Sequence, residues 1–582
     1  MTTNTVEPTI LEKAKKWMLN DYDEDTRLLV QKMIQFEEAE LVECFYKDLE
    51  FGTGGLRGIM GVGTNRMNKY TVGSATQGLA NYLKQSYEES KKISVVIAHD
   101  SRNNSRYFAE VSAGVLAGNG IHVYLFENLR PTPELSFAVR HLKAQAGIVI
   151  TASHNPKEYN GYKVYWNDGG QLVPPHDKNV INEVKKITSV SDVKFSGNEE
   201  LIKSIGKDVD DVYIKALTTL SLNPDIIKKH NNLSIVYTAI HGSGAVMVPP
   251  ALKAFGFNNV STVEEQMIPD GNFPTVVSPN PEEKAAMTMA LDKAKQIKAD
   301  LILATDPDAD RVGVGVRNDK GEYVLLNGNQ SASILIYYLI TQWEKKGKLT
   351  GNEFIAKTIV TSELLKDIAR SRNVECFDVL TGFKYIAEII REHEGSMTFI
   401  GGGEESYGYL VGDFVRDKDA VSSCCMLAEA ASWAKDQGLS MYELLIDIYT
   451  KYGFYLEDLI SITRKGKAGA EEIQKMMEGY RTNPPTEING LAVLAVKDYL
   501  LQKETNLHSG KEYAIELPKS DVIQFILEGG SKITVRPSGT EPKIKFYFGV
   551  KGQLTDKSQF YEVNQSMRAS LEGMIEAMGL RS

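Results

Sequence analysis

The chain has 582 residues, 42% of them hydrophobic and 24% charged, with 66 Lys and Arg against 76 Asp and Glu for a formal charge of −10. That length exceeds a single hydrophobic core and implies roughly three to five domains. The acidic balance argues against broad binding to nucleic acid or to an anionic membrane, so an anionic ligand would have to meet positive charge concentrated in one cleft. The four cysteines, Cys44, Cys376, Cys424 and Cys425, show no C-x-x-C spacing, and a reducing cytoplasmic setting is expected. Met1-Thr2-Thr3-Asn4 lacks the basic-then-apolar pattern of a signal peptide, and the most apolar stretch, Ile334 to Ile340, is far too short to span a bilayer.

Residues 8–50 are charged and periodic and read as two surface helices. Five of residues 52–61 are glycine, so backbone amides there can approach an anion, with Arg57 as the cation. The stretch completes neither G-x-G-x-x-G nor a Walker A sequence, so a dinucleotide or ATP site has no support. Ile93–Ala98 then reads as a strand ending at His99-Asp100-Ser101-Arg102, followed by a helix from about Ser105 to Asn119, a strand at His122–Phe126 and a helix opening at Arg130-Pro131-Thr132-Pro133. This alternation predicts a mostly parallel sheet with helices on both faces. It leads into Gly147-Ile148-Val149-Ile150, a buried strand that delivers Thr151-Ala152-Ser153-His154-Asn155-Pro156 into a loop, with Asn160-Gly161 as a turn signal. The carboxyl end of such a strand is where open α/β sheets bind ligands. His99 and His241 read as hydrogen-bonding loop residues. His154 reads as the residue that orients the serine loop, with metal ligation or base chemistry as the alternatives.

The pattern recurs twice. Leu233–Tyr237 and Ala299–Ala304 are strands, and the second ends at Thr305-Asp306-Pro307-Asp308-Ala309-Asp310-Arg311. Asp306, Asp308 and Asp310 would repel one another in a poorly solvated site, and a cation removes that cost; an all-oxygen donor set points to Mg²⁺, Mn²⁺ or Ca²⁺ rather than zinc. An EF-hand is excluded, because no Gly stands at its sixth position and no Glu at its twelfth. A third round runs from Phe354–Lys357 to Met397–Ile400 and ends at Gly401-Gly402-Gly403-Glu404-Glu405-Ser406-Tyr407-Gly408, where Glu404 and Ser406 offer the acceptor and donor that sugar hydroxyls need. After about residue 450 the texture changes to a strand at Leu459–Thr463, a helix near 469–480, a hairpin over Val522–Val535 and a strand at Lys543–Phe548. Between the last strands, Arg536-Pro537-Ser538-Gly539-Thr540 supplies a cation, hydroxyls and free amides that suit a phosphate.

Taken together and in this order, T-A-S-H-N-P…N-G-Y-K, D-P-D-A-D-R, G-E-E-S-Y-G and R-P-S-G-T resemble the four signature loops of the alpha-D-phosphohexomutase family, over nearly the whole chain. The likeness is to its long bacterial phosphoglucomutase branch, which is also similar to phosphopentomutase relatives. The resemblance implies three similar α/β domains with mixed, mostly parallel sheets plus a smaller C-terminal α+β domain around a central cleft. The expected boundaries are 1–210, 211–325, 326–450 and 451–582. It implies that Ser153 is phosphorylated, that Asp306, Asp308 and Asp310 with a Ser153 oxygen hold one Mg²⁺, and that Glu404 and Ser406 hold sugar hydroxyls. It implies further that Arg536, Ser538, Gly539 and Thr540 grip the phosphate not being transferred, and that Lys163, Arg57, Arg311 and Lys384 serve the reacting phosphate and the substrate. Pro307 and Ala309 stand where many members have glycine, and Lys384 stands where phosphomannomutase-type members often have histidine.

The activity so implied is interconversion of glucose 1-phosphate and glucose 6-phosphate through a phosphoserine enzyme and glucose 1,6-bisphosphate, which also serves as activator; phosphopentomutase or phosphomannomutase activity is the alternative. Lys163 would act as a base if Mg²⁺ and Arg57 lowered its pKa from about 10.4 toward neutrality, or else as a fixed cation. The expected partner is a phosphorylated sugar, with no nucleic acid and no membrane, and the chain is expected as a monomer or homodimer. An alkaline-phosphatase-type centre needs clustered histidines, which the nine here do not supply.

Overall fold

The computed structural model describes residues 6–52, 54–88, 92–464, 466–538 and 543–581. The chain forms four sheets in succession. The first is six-stranded, in the order Gly55–Ile59, Tyr159–Trp166, Ala146–Ile150, Ser94–His99, His122–Phe126, Ile202–Ile205. The second runs Tyr323–Leu326, Val312–Arg317, Leu301–Thr305, Ile235–Thr238, Val260–Thr262, and the third Glu375–Val379, Glu353–Thr358, Thr398–Gly403, Tyr409–Val411. The fourth sheet is antiparallel and contains Phe454–Thr463, Lys543–Gly552, Lys532–Pro537 and Ile523–Leu527 as neighbours.

The first sheet is buried on both faces, which explains its continuous apolar runs. Val95, Ile97, Ile148 and Ile150 join one core, while Val96, Ala98 and Val149 join another. Each of these valines and isoleucines contributes about 1.5–3 kcal/mol by leaving water. The second of these cores is continuous from Val96 through the second and third sheets to Ile575 in the last helix, Phe560–Ala577.

One device recurs in the first three sheets. The strand carrying the polar loop is parallel to its inner neighbour, and the chain then reverses into an antiparallel strand. Ala146–Ile150 pairs back with Tyr159–Trp166, Leu301–Thr305 with Val312–Arg317, and Thr398–Gly403 with Tyr409–Val411. Each polar loop is therefore a hairpin connection at the carboxyl end of a central strand.

Three readings are corrected. Residues 8–50 form three helices, Pro8–Lys16, Glu24–Phe36 and Glu38–Phe45, because Glu37 at φ −132°, ψ 59° breaks one periodic run in two. Asn160-Gly161 is not a turn but lies inside a strand, where Asn160 bonds its side chain to Asn103 O and Ser105 Oγ, both at 3.0 Å. The glycine-rich stretch is only partly a loop, since Gly55–Ile59 is a strand paired to Tyr159–Trp166. Its glycines serve chain packing: a Cβ on Gly55 would lie 1.7 Å from Tyr162 O.

Candidate active site

A cleft of about 800 Å³ opens where the four sheets meet, and Ser153, Arg311, Glu404 and Arg536, one from each sheet's unit, all line it. The serine loop forms its floor. Ser153 is 3% exposed and stands in the left-handed region at φ 51°. Its amide donates to Thr151 Oγ1 at 2.8 Å, and its hydroxyl donates to Asp306 Oδ2 at 2.6 Å. His154 Nδ1 lies 3.1 Å from the same hydroxyl. The serine oxygen is thus held between a carboxylate of the aspartate loop and the imidazole of its own loop. Burial, with Arg311 and Arg57 nearby, holds the His154 imidazole well below its usual pKa and hence neutral.

The aspartate loop meets the serine loop from the second sheet. Asp306, Asp308 and Asp310 are essentially without solvent exposure, and each offers an oxygen within 4.8 Å of the others. Ala309 takes a left-handed φ of 50° that turns the loop. Thr132 ties the loop to the first sheet's unit through its amide to Asp308 O at 2.9 Å and its hydroxyl to Asp308 Oδ2 at 3.0 Å. Burial, then repulsion from Asp308 and Asp310, raises the Asp306 pKa well above its ordinary value. Asp308 and Asp310 are also buried, but their cationic neighbours prevail and lower both. Lys163 Nζ sits 2.7 Å from Asp308 Oδ2 and 3.3 Å from Asp310 Oδ2, and Lys418 Nζ sits 3.1 Å from Asp310 Oδ2. Asp308 Oδ1 and Asp310 Oδ1 are nonetheless buried without a hydrogen-bond partner. Three buried carboxylates with two oxygens that lack hydrogen bonds fit a hard divalent cation.

The third loop supplies acceptors. Glu404 accepts from Gly382 N at 2.9 Å, and burial pushes its carboxyl up to about 7 against the pull of Lys418. Glu405, also in the lining, accepts from Thr358 and Thr361 hydroxyls, both at 3.2 Å, which anchors the loop that presents Glu404 and Ser406 to the cleft. Arg311 is paired to Glu282 at 2.5 Å. Arg536 lines the cleft from the strand Lys532–Pro537, and Ser538 N donates to Lys543 O at 2.7 Å. Gly539 and Thr540 lie outside the described residues.

Residues 48–191, 211–321 and 327–452 match the alpha/beta/alpha domains I, II and III of phosphoglucomutase/phosphomannomutase, in that order. The phosphoglucomutase of Staphylococcus aureus strain MRSA252 is 41% identical over 520 residues, 89% of this chain and 92% of that protein. That of Staphylococcus haemolyticus is 39% identical over 510 residues, 87% of this chain and 91% of its own length. The chain belongs to the phosphoglucomutase/phosphomannomutase family. Among solved structures, the Paramecium exocytosis-sensitive phosphoprotein parafusin, a phosphoglucomutase, in its open form, covers 92% of this chain and 96% of its own, with a TM-score of 0.68 at 18% identity. A phosphoglucomutase/phosphomannomutase family protein from Burkholderia thailandensis covers 90% and 97%, with a TM-score of 0.62 at 17% identity. These two likenesses are likenesses of fold.

Within this family member, Ser153, His154, Lys163, Arg57, Arg311, Asp310, Glu404, Ser406 and Arg536 meet in one cleft, with Asp306 and Asp308 directly behind Ser153 and Lys163. Lys384 does not line it: its ammonium lies 5.0 Å from the centre of the Tyr385 ring, one residue past the lining Phe383. Lys163 is held by the aspartates of the second loop. Burial works against its charge, but Asp308 and Asp310 outweigh burial and raise its pKa. Sequence reasoning missed Lys418, whose only signal was the alternation Arg416-Asp417-Lys418-Asp419. It also missed Arg102, which donates to backbone carbonyls of the serine loop. Among the described residues, no helix is long and apolar enough to cross a membrane.

Proposed function

We propose that this chain is a phosphoglucomutase that interconverts glucose 1-phosphate and glucose 6-phosphate by way of phosphoserine at 153. The observation that carries this reading is the hydroxyl of Ser153, 2.6 Å from Asp306 at the floor of a cleft that Glu404, Ser406 and Arg536 also line. The phosphoglucomutase names of relatives at 41% and 39% identity support the same substrate class.

In the forward half-reaction the bond between phosphorus and Ser153 Oγ breaks as a sugar hydroxyl oxygen bonds the phosphorus, and the hydroxyl proton passes to a basic group of the cleft. Glucose 1,6-bisphosphate forms, turns over and returns its other phosphoryl group to Ser153. Asp306, Asp308 and Asp310 would hold Mg²⁺, which supplies charge neutralisation at the serine oxygen. His154 Nδ1, against Oγ, holds it in place, Glu404 and Ser406 take sugar hydroxyls, and Arg536 with Ser538 grips the far phosphate. Positioning and charge neutralisation carry most of such a transfer. The ion pairs of Lys163 with Asp308 and Asp310 support its role as a cation beside the reacting phosphate. We assign the four sheets to units bounded near residues 210, 325 and 450.

The test is a coupled assay with glucose 1-phosphate, ribose 1-phosphate and mannose 1-phosphate at equal concentration, with and without glucose 1,6-bisphosphate, on the native chain and on Ser153→Ala. Glucose 1-phosphate should be preferred, the bisphosphate should activate, and Ser153→Ala should lose roughly 10³-fold or more in kcat. Preference for ribose or mannose 1-phosphate moves the chain to another branch of the family; an active Ser153→Ala ends the phosphoserine reading.

A further inference from the structure

Arg102 commits its guanidinium to the serine loop. Nη2 donates to Ser153 O at 2.6 Å and, still more closely, to Asn155 O; Nη1 donates to Pro156 O at 2.9 Å and Tyr159 O at 3.1 Å. The side chain has no solvent exposure, and its Nε lies 3.4 Å from the equally buried Asp100 Oδ2. Asp100 is fixed in turn by the Arg102 amide at 2.9 Å and the Ser105 hydroxyl at 2.7 Å. Converging carbonyl dipoles repel one another unless a cation sits among them, and only a planar fork of donors reaches four acceptors at once.

The opposite side of the guanidinium belongs to the second sheet's unit. Phe273, 1% exposed and held at φ 48°, lies with its ring centre 5.1 Å from the guanidinium carbon. The neighbouring backbone comes so close that a Cβ on Gly271 would stand 2.3 Å from Asn103 N. His241 holds this segment through Ile268 O at 2.9 Å and Thr275 Oγ1 at 2.8 Å, and Ser278 Oγ donates to His154 O at 3.3 Å.

We propose that Arg102, covered by Phe273, is the positioning residue that sets Ser153 for phosphoryl transfer. It keeps residue 153 in its left-handed conformation with Oγ facing the aspartates. Because half of the clamp comes from each unit, the reactive loop is set only when the first and second units are docked. This inference rests on the phosphoserine reading above.

The experiment compares steady-state kinetics, thermal melting and intact mass after incubation with glucose 1,6-bisphosphate for the native chain, Arg102→Lys, Phe273→Leu and Ser153→Ala. Lysine keeps the charge but cannot span four carbonyls. Arg102→Lys should lower kcat by about 10²-fold, the loss expected when a reacting group shifts by about 1 Å. KM for glucose 1-phosphate should stay near its native value, and the variant should still take up a phosphoryl group. Phe273→Leu should lower kcat less and in the same manner. Native kcat in a folded Arg102→Lys, or a rise in KM at native kcat, overturns the proposal. Should Arg102→Lys fail to fold, Phe273→Leu decides: a kcat loss at native melting temperature supports the proposal, and native kcat overturns it. A native chain without mutase activity, or an active Ser153→Ala, removes the underlying reading and this proposal with it; an active native chain with a normal Arg102→Lys removes the proposal alone.

Discussion

Asp308 shows how little of this site's chemistry resides in a single side chain. Its carboxylate bonds Lys163 and Thr132 through one oxygen and leaves the other buried without a partner. Asp308→Asn removes a charge that Lys163 and the expected cation both use. Turnover should fall by roughly 10²-fold or more, and half-saturation by Mg²⁺ should move to higher concentration, as titration of activity against added Mg²⁺ would read. Glu404 gives a pH prediction with a fixed sign. Its folded pKa is raised to about 7, above the ordinary value of 4.5, so the folded state binds more protons than the unfolded between those values. Stability from this group is full below the unfolded pKa and is lost as pH rises toward about 7. At about 1.4 kcal/mol per pK unit the loss reaches at most about 3 kcal/mol. Glu404→Gln should therefore melt higher than the native chain at pH about 8, with the gap closing near pH 4.5; a gap independent of pH would refute this.

Elements place these residues through close backbone contacts. Gly161 sits between two strands, opposite Arg57, and a Cβ there would stand 2.4 Å from Thr151 O and 3.0 Å from Leu56 O. Both neighbours are backbone, so neither can yield without moving the serine loop or the Arg57 strand. Gly161→Ala should lower stability by about 1–3 kcal/mol and kcat with it, measured by melting and turnover. Gly395 makes a control, since no atom lies within 4 Å of its missing Cβ and its φ of 78° leaves only local strain. The Asn-Gly pair was legible as special, but strand pairing decided what it does. The three recurring hairpin connections were half legible: the strands before each loop could be read from their apolar runs, whereas the reversal after each loop depends on pairing across the sheet.

For the molecule as a whole, the fourth unit is tied to the third and faces the first across the cleft. Lys532 pairs with Glu363 at 2.6 Å, Lys551 with Asp367 at 2.8 Å, and Gln524 Nε2 donates to Ile359 O at 2.8 Å. The chain enters this unit through Gly453 at φ 103°, between Tyr449 and Phe454, whose ring centres lie 4.4 Å apart with the planes tilted by 32°. Motion about that joint would bring Arg536 onto a sugar phosphate. Small-angle scattering should show a smaller radius of gyration with glucose 1,6-bisphosphate than without; superimposable curves would argue against closure. Lys532→Met removes one tie and should loosen the unliganded form by the same measure.

The sequence by itself determined the layered α/β order, the four polar loops and the identity of most groups in the cleft, because apolar runs, glycine clusters and closely spaced charges are local properties. Only the tertiary structure decided which groups meet. Lys384 is one residue from the lining and lies by the Tyr385 ring, Lys163 is paired with aspartates some 145 positions downstream, and Arg102 becomes a clamp only when four carbonyls turn toward it. Long-range pairing and shared burial set those outcomes, and no window of sequence contains both partners.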